Sequence, residues 1–388
     1  LLMKIITEDP KIRTKAFNTF KSTAPLVDNK EVYNKILKAS QTEKINKEEE
    51  DIVIKVLNSY KKLFNKIELD SDDFVFSGHE LNEVKNKSQT DIIRYIVYRY
   101  KFNIFPIIKK IQDYPPVMQL ELSSVCNLRC VMCYQHDKSF SSNSKGFMGY
   151  MNLELFKKII DEIEGKMEAI TFASRGEPTL NKDLDKYLKY CEKKFMGLKL
   201  NTNATMFNEK IINTLLSSDL ETLVISADAP NKELYEKIRV NAKFDKVIKN
   251  LELFRNIREK NYKSSKLKVR VSGVKINNDQ SFEEINKFYS RFADEVSLMN
   301  YLPWESSYEN EINDIVEPCT DLWRIMFVFW DGKVNPCDFD YKSTLSKWNA
   351  KSQTIKDIWN SNYYNELRDK HLSKSRKSLE PCVRCIAT

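Results

Sequence analysis

Apolar positions change their period near residue 114. Before it, in VYNKILKAS (32–40), EEEDIVIKVLNSYKKLF (48–64) and DIIRYIVYRYKFNIFPIIKKI (91–111), they return every three to four residues, the spacing of one helix face. No β-branched alternation competes, so residues 1–113 read as a helical region whose last helix ends near Pro106. Pro115-Pro116 punctuates the chain, and beyond it short strand-like runs alternate with helix-period segments. The strands are VMQLELSS, AITFAS, LKLNTN, ETLVISA, LKVRVSGVKIN and EVSLMNY. Between them lie helices at LELFKKIIDEIE, LDKYLKYCEKKF and EKIINTLLSS, one long helix over 231–260, and FEEINKFYSRFA. Roughly six βα units predict an α/β fold, a partial (β/α)6 TIM-type barrel with a parallel sheet over 114–304. From 305 the pattern breaks into a small α+β unit. It holds a hairpin, RIMFVFWDGKVNPC, with Asp331-Gly332 at the turn, one helix, TIKDIWNSNYYNELRDKHL, and the closing PCVRCIAT.

Composition narrows the class. The chain has 388 residues, enough for a large core, and 30% of them are charged. No apolar run reaches the length of a bilayer span, and the opening LLMKIITEDP is charged too early for a signal peptide. The net charge of +8 comes from 63 basic residues interleaved with 55 acidic ones, a solvated mixed surface rather than a nucleic-acid footprint. Eight cysteines without a secretory signal point to a reducing, cytoplasmic compartment, where thiols serve metals or catalysis.

Three of those cysteines crowd into SSVCNLRCVMCYQ, where Cys126, Cys130 and Cys133 have gaps of three and two residues. They follow the first barrel strand, at the end where barrel enzymes build their sites. Structural zinc wants four closed ligands. A tight run of thiolates suits an iron–sulfur cluster, and three thiolates on a four-iron cluster leave one iron open to a small molecule. The spacing and its place resemble the signature of the radical S-adenosylmethionine (radical SAM) enzymes. That resemblance implies a [4Fe–4S] cluster whose open iron is chelated by SAM, and a 5′-deoxyadenosyl radical released on reduction. Further features fall in order down the chain. Gly176-Glu177-Pro178 after the second strand resembles the turn that offers backbone oxygens to the SAM amino group, although the family more often has a glycine where Arg175 stands. Asn201 and Asn203 resemble the pair facing the ribose, and Ser226 with Arg239 resembles a serine and arginine that hold the SAM carboxylate. Met132 stands where many members carry an aromatic, and with Tyr134 it is expected near the adenine.

Cys319, Cys337, Cys382 and Cys385 occupy the tail, with Gly332 five residues before Cys337. On spacing alone, a four-thiolate zinc knuckle stays open. Beside a radical SAM barrel they resemble a twitch or half-SPASM domain, which implies a second, auxiliary [4Fe–4S] cluster with full cysteine ligation. Cys191, read as mid-helix, is core filler rather than a hydrogen donor, and His136 is left without a role. Trp304 and Glu305, at the crossing from barrel to tail, are substrate-facing candidates. The resemblance implies an oxidoreductase that abstracts hydrogen from a small polar, sugar-type substrate and oxidises it through the auxiliary cluster. Epimerisation of a sugar, or maturation of a ribosomal peptide, is the alternative. An electron donor such as flavodoxin or ferredoxin is expected, as is the absence of a nucleic-acid partner or membrane span.

Overall fold

The structure is a computed structural model that describes residues 21–23, 28–85 and 87–387. The signal-peptide reading of the first ten residues and the start of the helical region lie outside the described residues.

Helices Asn29–Thr42, Lys47–Phe64, Gly78–Lys85 and Gln89–Ile108 close on a core of their own, which includes Val32, Ile36, Val53, Val56, Tyr60 and Ile96. Local chemistry starts each helix where the pattern asks. Asn46 and Glu49 form a reciprocal capping box, and the Ser88 hydroxyl accepts from the Asp91 N–H. The last helix runs two residues past Pro106 and stops at Lys109, which takes a left-handed conformation (φ 57°). A proline so close to the helix end removes only one interior hydrogen bond.

The barrel comprises β2 (Val117–Leu120), β3 (Ala169–Phe172), β4 (Gly197–Thr202), β5 (Thr222–Ser226), β6 (Lys268–Lys275) and β7 (Glu295–Asn300), each parallel to its neighbours. Period-two alternation sorts the faces. In β4, Leu198 and Leu200 are buried beneath the surrounding helices, while Lys199 and Asn201 alternate with them on the other face, toward the barrel interior. Two additions widen this sheet. A short β1 (Lys21–Ser22) pairs antiparallel with β7, so the first region is not purely helical. At the other edge, β8 (Ile325–Val328) pairs parallel with β2, and β9 (Lys333–Asn335) and β10 (Trp348–Asn349) continue the order antiparallel. The hairpin expected of a separate tail unit therefore prolongs the barrel sheet.

Three expected helices are drawn differently. The run over 231–260 is two helices, Lys232–Ile238 and Phe244–Asn261, separated by a break in which Asn241 has φ 75°. Asparagine tolerates that conformation, so the break needs no glycine to announce it. The tail helix is likewise two, Ile355–Trp359 and Asn362–Leu372, the second capped by Ser361. Helix Leu184–Tyr190 ends one residue before Cys191, which caps it rather than lying mid-helix. Cys191 is fully buried in the core, and burial pushes its thiol up to about 12.

The helical region docks at the N-terminal ends of the barrel strands. Arg94 clasps Glu168, just before β3, through Nε at 3.0 Å and Nη2 at 2.6 Å. Lys87 pairs with Glu221, just before β5. The cysteine triad lies at the opposite, C-terminal ends.

Candidate functional site

The triad loop is held by its main chain. Arg129 N–H donates to the Val240 carbonyl (2.9 Å) and Val131 N–H to the Ile238 carbonyl (3.0 Å), which ties the loop to the break between Lys232–Ile238 and Phe244–Asn261. Ser124 N–H donates to Gly149 O (3.0 Å), and Glu177 N–H to Val125 O (2.9 Å). Gly176 sits against the same stretch: a Cβ there would lie within 2.6 Å of Ser123 O, Ser124 C and Val125 O, all main-chain atoms. The glycine therefore admits the loop leading into Cys126.

Burial pushes the Cys126 thiol up to about 12, with the nearby Glu177 carboxylate adding to the rise, and burial raises Cys130 and Cys133 too. Buried thiols of this kind become thiolates only when a cationic group takes their protons' place, as iron does. One cation is already present. Arg239, at the C-terminal cap of Lys232–Ile238, brings Nη1 to 3.9 Å from Cys130 Sγ, and its Nε lies 2.7 Å from Oδ2 of the fully buried Asp228. Asp228, which the sequence did not single out, thus orients the arginine beside the triad.

The remaining expected contacts divide. Glu177 is absorbed within the protein: Oε1 accepts from Thr179 N–H (3.1 Å), Thr179 Oγ1 (2.5 Å) and Thr202 Oγ1 (2.7 Å), and Oε2 from Asn203 N–H (2.8 Å). Pro178 opens a short 3-10 turn behind it. Asn203 is likewise engaged, its Nδ2 donating to Asn127 Oδ1 (3.1 Å) and its Oδ1 accepting from Thr205 Oγ1 (2.6 Å). Asn201 differs, because its Oδ1 is buried and accepts no hydrogen bond among the described residues. Ser226 ends β5, half-buried, and Met132 packs half-buried against the main core. Tyr134 is buried, stacked on Tyr341 (centroids 5.0 Å, 25°) and parallel to Trp304 (6.5 Å, 4°), and its hydroxyl donates to Ser174 O (2.8 Å). Trp304 and Glu305 thus lie over the triad loop, and Trp304 Nε1 and Glu305 Oε2 are buried without partners. His136 caps no such arrangement.

Arg175 has a structural use that the sequence did not disclose. It is 2% exposed, and its Nε and Nη2 clasp Glu121 at 2.8 and 2.7 Å. Nη1 donates to Tyr341 O (2.9 Å), and the guanidinium lies 3.4 Å from the Phe329 ring centroid. The side chain joins the end of β2 to the tail. Beside it, Ser174 (φ 148°) donates its hydroxyl to Asp338 Oδ1 (2.9 Å), next to Cys337. Burial raises the Asp338 carboxyl to about 7. Arg175→Met leaves the Glu121 charge buried and unpaired, so it costs about 3–5 kcal/mol in chemical denaturation, and Glu121→Leu in the same chain restores part of the loss. A cost below about 1 kcal/mol, the scale of an exposed pair, would refute this account of the bond.

In the tail, Cys319, Cys337, Cys382 and Cys385 line one small cavity of about 30 Å3, which is also walled by Leu322, Phe339, Leu367, His371 and Arg376. Among the described residues, no three His, Cys, Asp or Glu side chains converge as they do around a single metal ion. Four thiols ringing one cavity are the ligand set of a cluster or of a four-thiolate zinc site. The lining fits an anionic group: Arg376 is 1% exposed and its Nε–H is buried without a partner.

Residues 120–289 match the Radical SAM superfamily, and residues 319–386 match the SPASM iron-sulfur cluster-binding domain. The mycofactocin maturase MftC of Mycolicibacterium smegmatis is 27% identical over 177 residues, which are 46% of this chain and 43% of that protein. The chain thus spans less than half of that maturase's length. The tungsten-containing aldehyde ferredoxin oxidoreductase cofactor-modifying protein of Pyrococcus furiosus is 24% identical over 302 residues, 65% of this chain and 82% of that one. Among solved structures, native anSMEcpe with bound AdoMet superposes with a TM-score of 0.51 at 20% identity, over 70% of this chain and 88% of that one, and so shares the fold.

Proposed function

From the premise that the chain carries a radical SAM domain and a SPASM domain, we propose that it oxidises a hydroxyl carbon of a small, polar, sugar-type substrate. Such domains bind a [4Fe–4S] cluster with SAM and auxiliary iron–sulfur clusters respectively. The observation that carries the reading is the cavity lined by all four tail cysteines, placed beside the barrel by the pairing of β8 with β2.

Cys126, Cys130 and Cys133 would hold the SAM-binding cluster, and Cys319, Cys337, Cys382 and Cys385 the auxiliary one. SAM held at the triad would supply, on reduction, the chemistry to remove one hydrogen atom from a substrate carbon. Arg239, oriented by Asp228, holds the SAM carboxylate together with Ser226, and the open Oδ1 of Asn201 accepts a ribose hydroxyl. Gly176, Glu177 and Pro178 brace the loop into Cys126, and Glu177 keeps Asn203 in place. Met132 and Tyr134 wall the adenine side. Trp304 and Glu305 shield the substrate from water and offer it one donor and one acceptor. A cluster held by the four tail cysteines would supply a one-electron acceptor, so that a hydroxyl carbon that had lost its hydrogen atom would give up one electron there and its hydroxyl proton to solvent, leaving a carbonyl. A flavodoxin- or ferredoxin-type protein supplies the reducing electron, in a reducing, cytoplasmic compartment. No helix of the described residues is long and apolar enough to cross a membrane.

A peptide substrate is the second reading, favoured by the likeness to the mycofactocin maturases. Solvent deuterium separates the outcomes once a substrate is in hand. Dehydrogenation gives a product lighter by a pair of hydrogens, with no deuterium fixed at the reacting carbon. A product of unchanged formula carrying one carbon-bound deuterium would mean epimerisation and overturn the oxidation.

A further inference from the structure

Arg376 is buried beside the four tail cysteines, and among the described residues no acid pairs with it. Its Nη1 donates to the carbonyls of Glu317 (2.9 Å) and Ala387 (3.2 Å), and its Nη2 to those of Cys382 (3.2 Å) and Cys385 (3.0 Å). Four main-chain oxygens thus fix the plane of the guanidinium and, through it, the loop that carries two of the cysteines. Its Nε–H has no partner, and the side chain lines the cavity. The acids nearby are committed elsewhere. Asp321 is clasped by Arg324 (2.8 and 2.7 Å), and Asp340 accepts from Tyr308 Oη, Thr344 Oγ1 and the N–H groups of Thr344 and Leu345. His371, on the cavity wall, accepts the Cys319 N–H at Nδ1 (3.2 Å) and so carries no charge to oppose the arginine. The other cation, Lys109, is half-buried over the Trp323 ring at 4.7 Å. A buried guanidinium held only by carbonyl dipoles is costly unless an anion faces it.

We propose that Arg376 sets the reduction potential of the auxiliary site, by donating its Nε–H to a sulfur of the four-thiolate cluster and by placing a fixed positive charge beside it. This rests on the reading of the four cysteines as cluster ligands. Reduction adds one negative charge. A donor to sulfur and a buried cation both stabilise the more negative form and raise the potential. Arg376 thereby makes the one-electron transfer from substrate radical to auxiliary cluster downhill. That electron later leaves to an external iron–sulfur or flavin protein, and the cluster returns to its oxidised state. The role proposed for Arg376 is exercised on the auxiliary cluster alone.

The test uses the full chain, reconstituted with iron and sulfide, in the parent and in Arg376→Gln and Arg376→Lys. Iron is counted, and each auxiliary midpoint potential is read by EPR-monitored titration in a Cys126→Ala, Cys130→Ala, Cys133→Ala background, where only that cluster remains. Arg376→Gln is expected to keep the parent's iron and to shift the potential downward, and Arg376→Lys, which keeps the charge but not the Nε donor, to fall between. An Arg376→Gln protein with full iron and the parent's potential overturns the proposal. So does loss of the auxiliary irons from both variants, which makes the arginine a scaffold alone. Zinc in place of iron in the parent overturns both this and the cluster reading. A lowered potential in Arg376→Gln, beside a parent that does not oxidise its substrate, upholds the arginine's role and overturns the oxidation alone.

Discussion

Replacing Cys126, Cys130 and Cys133 together by alanine removes about half of the iron from the reconstituted protein, leaving about four atoms of about eight, and abolishes reductive cleavage of SAM. The effect is expected to be large because, on the proposed reading, the two cysteine sets do separate work. The triad loop hangs from β2 and is bonded to Ile238 and Val240, whereas the tail cavity is built from residues 319–387 and pinned by Arg376. Neither set shares a ligand with the other, so loss of the triad leaves the tail site able to assemble. Cleavage stops altogether because SAM needs an open iron, and a site ligated by four cysteines has none. Iron analysis and chromatography of 5′-deoxyadenosine check both halves. A triad variant that still cleaves SAM, or that loses all its iron, overturns the division of labour.

Gly176→Ala is expected to cost about 1–3 kcal/mol of stability and to deplete iron at the triad while sparing the tail. The methyl group meets Ser123 O, Ser124 C and Val125 O, and main chain cannot swing aside as a side-chain tip can. The loop entering Cys126 must therefore move, and the Glu177 N–H bond to Val125 O (2.9 Å) is strained with it. Gly165→Ala is the control. It has positive φ (70°) but open space around it, so it should cost about 1–2 kcal/mol through backbone strain alone and leave iron unchanged. Thermal denaturation and iron content on the two variants decide the matter. Equal iron at both sites in Gly176→Ala would remove the close packing as the reason for this glycine.

The short-range features were legible before any coordinates. Period-two and helix-period patterning is local, so the parallel barrel strands and the helices between them could be read from windows of a few residues. The Cys126–Cys130–Cys133 spacing is local too, because all three cysteines lie within eight residues of one loop. Where the chain's own backbone chose between conformations of similar energy, the pattern misled: Asn241 could turn the chain without a glycine, and one long helix became two. That break places Arg239 beside Cys130, so the arginine's position depends on a turn that composition did not announce.

What joins distant segments belonged to the tertiary structure alone. Nothing in the neighbourhood of Arg175 says that Glu121, Phe329 and Tyr341 will enclose it, and the usual glycine of that turn suggested no side chain to place. The pairing of β8 with β2 joins strands more than two hundred residues apart, and it turns a tail hairpin into part of the barrel sheet. Arg376 read as one more surface charge in a Lys- and Ser-rich stretch until four carbonyls from two segments were seen around it. Sequence determines which residues can bond and which faces are apolar. Only the fold determines which charge loses its water, because desolvation is a property of the whole enclosure and not of the residue.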